Sequence, residues 1–76
     1  MYGYVLVNKD GEYLKEIDGA NAKLEFTTDL NEAKNYDGMP GGGEWFSNQD
    51  REFIVRHFKE EYGERATTLR TKYMEW

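Results

Sequence analysis

The chain has 76 residues, with ten Lys plus Arg, fifteen Asp plus Glu, one His and no Cys, for a formal net charge of -5. That length is too short for two ordinary domains, and no disulfide or Cys-based zinc site is available to brace it. An acidic balance argues against nonspecific phosphate binding, while 38% hydrophobic and 16% aromatic residues are too many for a disordered chain.

Tyr2 to Asn8 is rich in β-branched and aromatic residues and reads as a strand buried on much of both faces. Lys9-Asp10-Gly11 is a hairpin turn, because Asp-Gly supplies the positive φ angles such turns need. Glu12 to Ile17 is the return strand, with Tyr13 and Ile17 expected on one face and Leu14 on the other. Asp18-Gly19-Ala20-Asn21 forms a second turn. Lys23 to Thr27 alternates, which directs Leu24 and Phe26 inward and completes a three-strand meander.

Thr28 or Asp29 offers a helix cap, with Glu32 in capping-box spacing to Asp29, and a short helix is expected to end near Tyr36. Gly38, Pro40 and Gly41 to Gly43 cannot continue it, so residues 37–46 read as a flexible Gly-rich loop. Ser47 with Asp50 predicts the start of the main helix, whose apolar stripe is Ile54, Val55, Phe58 and Tyr62 and whose terminator is Gly63. From Ala66 onward Thr67, Thr68, Leu69, Thr71 and Tyr73 predict a strand that rejoins the sheet.

The order β-β-β-(short α)-α-β predicts an α+β fold forming a single domain over 1–76. A small antiparallel sheet, made of the N-terminal meander plus a C-terminal strand, carries one main helix on one face. The predicted core is Val5, Val7, Leu14, Leu24, Phe26, Ile54, Phe58 and Leu69.

Chemistry is thinly signalled. His57 has no nucleophile or carboxylate fixed beside it by helical spacing and reads as a surface histidine, so no catalytic residue is expected. Asp10, Glu12, Glu16 and Asp18 are close in sequence but do not circle a loop, so neither a metal site nor any other cofactor is expected. The glycines at 38–43 precede Glu44 rather than a Lys and a hydroxyl, which disfavours phosphate. Trp45-Phe46 either staples the following helix or forms an exposed aromatic anchor.

Residues 1–38 hold eight acids and four Lys, a net of -4, while residues 39–76 hold seven acids and six bases, a net of -1, including Arg51, Arg56, Arg65 and Arg70. Spaced acids on a sheet can imitate phosphate rows, although Lys15, Lys23 and Lys34 interrupt these. The strand aromatics Tyr2, Tyr4, Tyr13, Tyr73 and Trp76 admit an alternative, base stacking assisted by Arg51 and Arg56 on the helix.

The segments from Tyr4 to Leu14 (YVLVNKDGEYL) and from Phe26 to Lys34 (FTTDLNEAK) resemble small uncharacterised proteins encoded by phages and prophages of Gram-positive bacteria. The shared features are a hairpin followed by an F-T-x-x-L-x-E-A-K strand-to-helix step, and the resemblance covers residues 2–36. It implies a phage accessory protein, a class that includes inhibitors of host defence, and it implies no active site. The functional expectation is therefore a non-enzymatic protein that binds a host protein in the cytoplasm of the host cell. Its expected contacts are Trp45, Phe46, Glu12, Glu16 and Asp18. Such a chain could act as a monomer or, through an unprotected final strand, as a homodimer.

Overall fold

The computed structural model describes residues 1–38 and 42–76, so Met39, Pro40 and Gly41 of the expected loop lie outside the described residues. Strand-forming sequence builds β1 (Tyr2–Val7), β2 (Tyr13–Asp18) and β3 (Lys23–Thr27), followed by a single 3-10 turn (Leu30–Glu32). The main helix α1 (Gly43–Tyr62), a short helix α2 (Glu64–Thr67) and β4 (Arg70–Glu75) complete the chain. The four strands form one antiparallel sheet in the order β3-β2-β1-β4. The α+β architecture expected from the sequence is thus the observed one. Among the described residues no helix is long and apolar enough to cross a membrane.

Local chemistry sets each turn. Asn8 is buried, and its side-chain oxygen accepts from the amides of Asp10 and Glu12, each at 3.0 Å. Gly11 takes the positive φ of 77° that closes a three-residue hairpin loop. In the second turn Asp18 accepts from the backbone and side chain of Asn21 at 3.2 and 2.8 Å. The left-handed position there is Ala22, with φ 51°, rather than Gly19.

The register of β2 on β3 slips at Lys15, between Leu14 opposite Phe26 and Glu16 opposite Glu25. Such a bulge resets the alternation of side chains. Leu14 and Ile17 therefore both pack on the core, which corrects the expectation that Ile17 would share a face with Tyr13 instead.

The sheet is split between β1 and β2. The two strands register at Val7 opposite Tyr13 and then part, and the chain after the 3-10 turn enters the gap. Lys34 donates its amide to the Leu14 carbonyl and Tyr36 donates its amide to the Tyr4 carbonyl, both at 2.9 Å. The amide of the Asn35 side chain donates to the Tyr2 carbonyl at 3.2 Å. Residues 34–36 are thus a wedge bonded on both sides, and the helix expected to run to Tyr36 is one 3-10 turn. Asp29 caps that turn by accepting from the Asn31 amide at 2.9 Å.

Helix α1 begins at Gly43, inside the expected loop and four residues before Ser47. Ser47 is a fully buried helix residue rather than a cap. Its hydroxyl donates to the Glu44 carbonyl at 2.8 Å and lies 3.0 Å from the Thr71 hydroxyl of β4. Gly63 terminates α1 as expected, with φ 55° and its amide on the Lys59 carbonyl. Thr67 and Thr68 do not join the last strand, because residues 64–67 form α2 and Thr68 caps it.

Leu6, Leu14, Leu24, Tyr36, Ile54, Phe58, Ala66 and Leu69 form the core between the sheet and the helices. Val5 and Val7 are also buried, on the opposite face of β1, so both faces of that strand are covered. On that face the Trp76 indole donates to Asn31 at 2.9 Å and ties the 3-10 turn to the end of β4. Phe26 is only partly buried, and Leu6, Tyr36 and Ala66 join the core unannounced by the expected set.

Candidate functional site

Helical spacing divides α1 into flanks with different tasks. Ser47, Ile54 and Phe58 face the sheet. On one flank Asn48 accepts from the Thr71 hydroxyl at 3.0 Å and faces β4. On the other flank Asp50 accepts from the Tyr36 hydroxyl at 2.5 Å and pairs with Lys34 at 3.6 Å, which locks the wedge to the helix. Burial and the neighbouring Asp50 carboxylate raise the Tyr36 phenol far above its ordinary range, so it acts here as a neutral donor.

Beyond that lock, Trp45, Gln49, Phe53 and His57 fall at successive i, i+4 positions and form one ridge along the helix. Trp45 is 55% exposed and Phe53 46% exposed, and Gln49 and His57 are exposed as well. The ridge is braced from within. The Phe53 ring lies 4.5 Å from that of His57 and 6.2 Å from the core residue Phe58, and Trp45 meets Phe46 edge to face at 4.8 Å. Phe46 itself packs on the core. Trp45 and Phe46 therefore belong to the first turns of a helix, and Trp45 projects away from the fold.

The acidic residues expected to share this contact are elsewhere and mostly engaged. Glu12 accepts from the Asn8 side chain at 3.0 Å and from the Arg65 guanidinium at 3.1 and 3.3 Å. These bonds, that of Asn8 first, hold its carboxyl below the usual range. Bonds from Asn21 hold the Asp18 carboxyl below the usual range too. Glu16 is exposed and stands opposite Glu25, a like-charge pair on the hairpin. Arg65 follows the C-terminal end of α1, and Trp45 is near its N-terminal end. The rise along the helix places Glu12 and Trp45 roughly 25 Å apart along that axis, so they do not make one patch.

Trp45 and Phe46 are expected from the sequence, and Phe53 is an addition made by the fold. Its signal was present: Phe53 lies off the Ile54 and Phe58 stripe, in i, i+4 spacing with His57. Among the described residues no cavity is found, and no group of three or more His, Asp or Glu side chains converges as a metal site would require. Comparison of the chain with protein-family models, with curated proteins and with solved structures finds no match.

Proposed function

We propose that this chain is a non-enzymatic, phage- or prophage-type accessory protein that acts by binding a host protein in the host cytoplasm. In this reading it inhibits a host defence or nucleic-acid-handling protein, in the manner of an anti-CRISPR protein. The observation that carries the binding role is the ridge of α1, where Trp45 and Phe53 stay about half exposed on a rigid, internally braced helix. Aromatic anchors held in place before association lose little entropy on docking and dominate interface energetics. The ridge of one helix also fits the groove between ridges of a partner helix. The phage assignment rests on the resemblance of residues 2–36.

The test is phage challenge of Gram-positive hosts, each carrying one defined defence system and expressing the chain. The wild type is expected to raise plating efficiency by orders of magnitude in one such host, and the Trp45→Ala and Phe53→Ala chains are expected to lose most of that gain. A combined charge reversal at Glu12, Glu16 and Asp18 is expected to matter less, since Glu12 and Asp18 are occupied within the fold. Unchanged plating across the panel would remove the inhibitor role. Full activity of both aromatic variants would remove the ridge as its contact surface.

A further inference from the structure

The two edges of the sheet are treated differently. At β3 the Tyr62 hydroxyl accepts from the Leu24 amide at 2.9 Å and lies 3.5 Å from the Leu24 carbonyl, so one side chain satisfies both outward groups of that residue. The Arg65 guanidinium covers the neighbouring Phe26 ring at 4.6 Å. At β4 no strand among the described residues pairs with the outer side. Trp76 donates its amide to the Met1 carbonyl at 2.8 Å, and the register places Met74, Lys72 and Arg70 opposite Gly3, Val5 and Val7. In an antiparallel pair hydrogen-bonded positions alternate, so Arg70, Lys72, Met74 and Trp76 spend their backbone groups on β1. Thr71, Tyr73 and Glu75 therefore direct their amides and carbonyls outward.

We infer that β4 pairs with β4 of a second copy of this chain, antiparallel and centred on Tyr73. Backbone geometry permits registers that place outward residues opposite outward residues. One shift sets Lys72 against its own copy, where like charges repel. The opposite shift, centred on Met74, pairs only residues 72–76 of the described strand and its flank. The register with Tyr73 facing Tyr73 uses the whole of Arg70–Trp76 and sets Thr71 opposite Glu75, Lys72 opposite Met74 and Arg70 opposite Trp76.

Each cation of the edge then meets an apolar or aromatic side chain, the last an arrangement suited to cation–π contact. Lysine on an edge strand ordinarily discourages pairing, and in this register Lys72 meets Met74 rather than its own copy. The aromatic surface agrees. Tyr73 is 47% exposed and Tyr2 58% exposed, and the Tyr73 ring lies 5.2 Å from Tyr4 and 6.4 Å from Tyr2. Pairing would join this cluster to its copy across a two-fold axis normal to the sheet, with both α1 helices on the same face.

Sedimentation equilibrium from micromolar to millimolar protein is expected to show the mass rising from 9.0 kDa towards twice that value. The Tyr73→Lys and Tyr73→Glu chains, each placing like charges on the axis, are expected to lose that rise while keeping the wild-type circular dichroism. An equimolar mixture of the two is expected to restore it, because Lys then faces Glu. Amide exchange gives the second readout, with protection at Thr71, Tyr73 and Glu75 that grows with concentration. A wild type that stays at 9.0 kDa to millimolar concentration overturns the inference. So does a Tyr73→Lys chain that dimerises like the wild type, a mixture that stays monomeric, or a dimer that leaves those three amides unprotected.

Discussion

Replacing Gly by Ala in a helix ordinarily stabilises it by about 1 kcal/mol, and Gly43→Ala is expected to do the opposite here. A β-carbon at residue 43 would lie 2.4 Å from the Tyr36 carbonyl oxygen, 2.9 Å from its carbonyl carbon and 3.2 Å from a ring carbon of Tyr4. The first of these is roughly 1 Å short of ordinary van der Waals separation. The obstacle is backbone, and it is pinned. The Tyr36 amide is bonded to Tyr4 at 2.9 Å and its hydroxyl to Asp50 at 2.5 Å. The start of α1 or the wedge must retreat, which costs about 1–3 kcal/mol as overpacking. Retreat also loosens a neutral hydrogen bond and a charge-assisted one, together worth about 2–4 kcal/mol if fully broken. With partial loss of those bonds and the helical gain subtracted, the net is a destabilisation of about 2 kcal/mol.

A domain of this size has roughly 4–11 kcal/mol of stability in total, so the change is large. It corresponds to a fall of about 10 °C in Tm. Urea denaturation followed by tryptophan fluorescence measures it, with Gly19→Ala as reference because no atom lies within 4 Å of a β-carbon there. A Gly43→Ala chain as stable as the wild type would refute the claim that close approach to Tyr36 selects glycine.

Other outcomes follow from single contacts. Tyr62→Phe is expected to lower stability by about 1 kcal/mol and to speed amide exchange at Leu24; unchanged exchange there would show that the hydroxyl does not close the β3 edge. Ser47→Ala is expected to cost about 1 kcal/mol, and the double change with Thr71→Val should cost less than the sum of the single changes. Strict additivity would mean that the two hydroxyls do not couple α1 to β4. Glu12 has a folded-state pKa below its unfolded value, so its contribution is complete above the unfolded value and disappears as pH falls through the folded one. Urea midpoints measured from neutral pH into the acid range should therefore decline less steeply for Glu12→Gln, with a difference at neutral pH below about 1 kcal/mol because the pair is partly exposed. Parallel acid limbs would dismiss Glu12 as a source of the pH dependence.

The elements with a clear period were legible in the sequence. Leu24 and Phe26 alternate, Ile54 and Phe58 repeat at helical spacing, and Gly63 stops α1, each because a local rule and a tertiary contact agree. The wedge was not legible. Residues 34–36 have no periodic pattern, and what fixes them is a pair of carbonyls, of Leu14 and Tyr4, far away in sequence. Tyr36 joins the core for the same reason. The bulge at Lys15 hides because an extra residue in one strand leaves no compositional mark. Gly42-Gly43 read as a breaker, and Ser47 as a cap, because propensity registers missing side chains and hydroxyls but not the neighbours that require them. Tyr36 requires a glycine at 43, and the Ser47 hydroxyl is spent on the Glu44 carbonyl inside the helix. For the ridge, amphipathic analysis rewards residues on the buried stripe, and Phe53 lies just off it.

The allocation of aromatic side chains links the ridge of α1 to the open edge at β4. Tyr36, Phe58 and Tyr62 are committed to closing the fold: one to the wedge, one to the core and one to the β3 edge. Trp45 and Phe53 are not, and neither is Tyr73. Asn48 faces β4, whereas Asp50 faces the wedge, so helical geometry puts Phe53 and His57 on the flank of α1 away from the open edge. A dimer joined through β4 would therefore leave both ridges uncovered and present them on one face of a continuous sheet. Two ridges held rigidly in that way gain avidity for a partner that offers paired sites, without any new contact in either interface. The variants separate the two surfaces. Tyr73→Lys should reduce binding to a paired target while leaving the affinity for a single site unchanged, and Phe53→Ala should weaken both. Equal losses for Tyr73→Lys on single and paired targets would mean that β4 touches the partner itself.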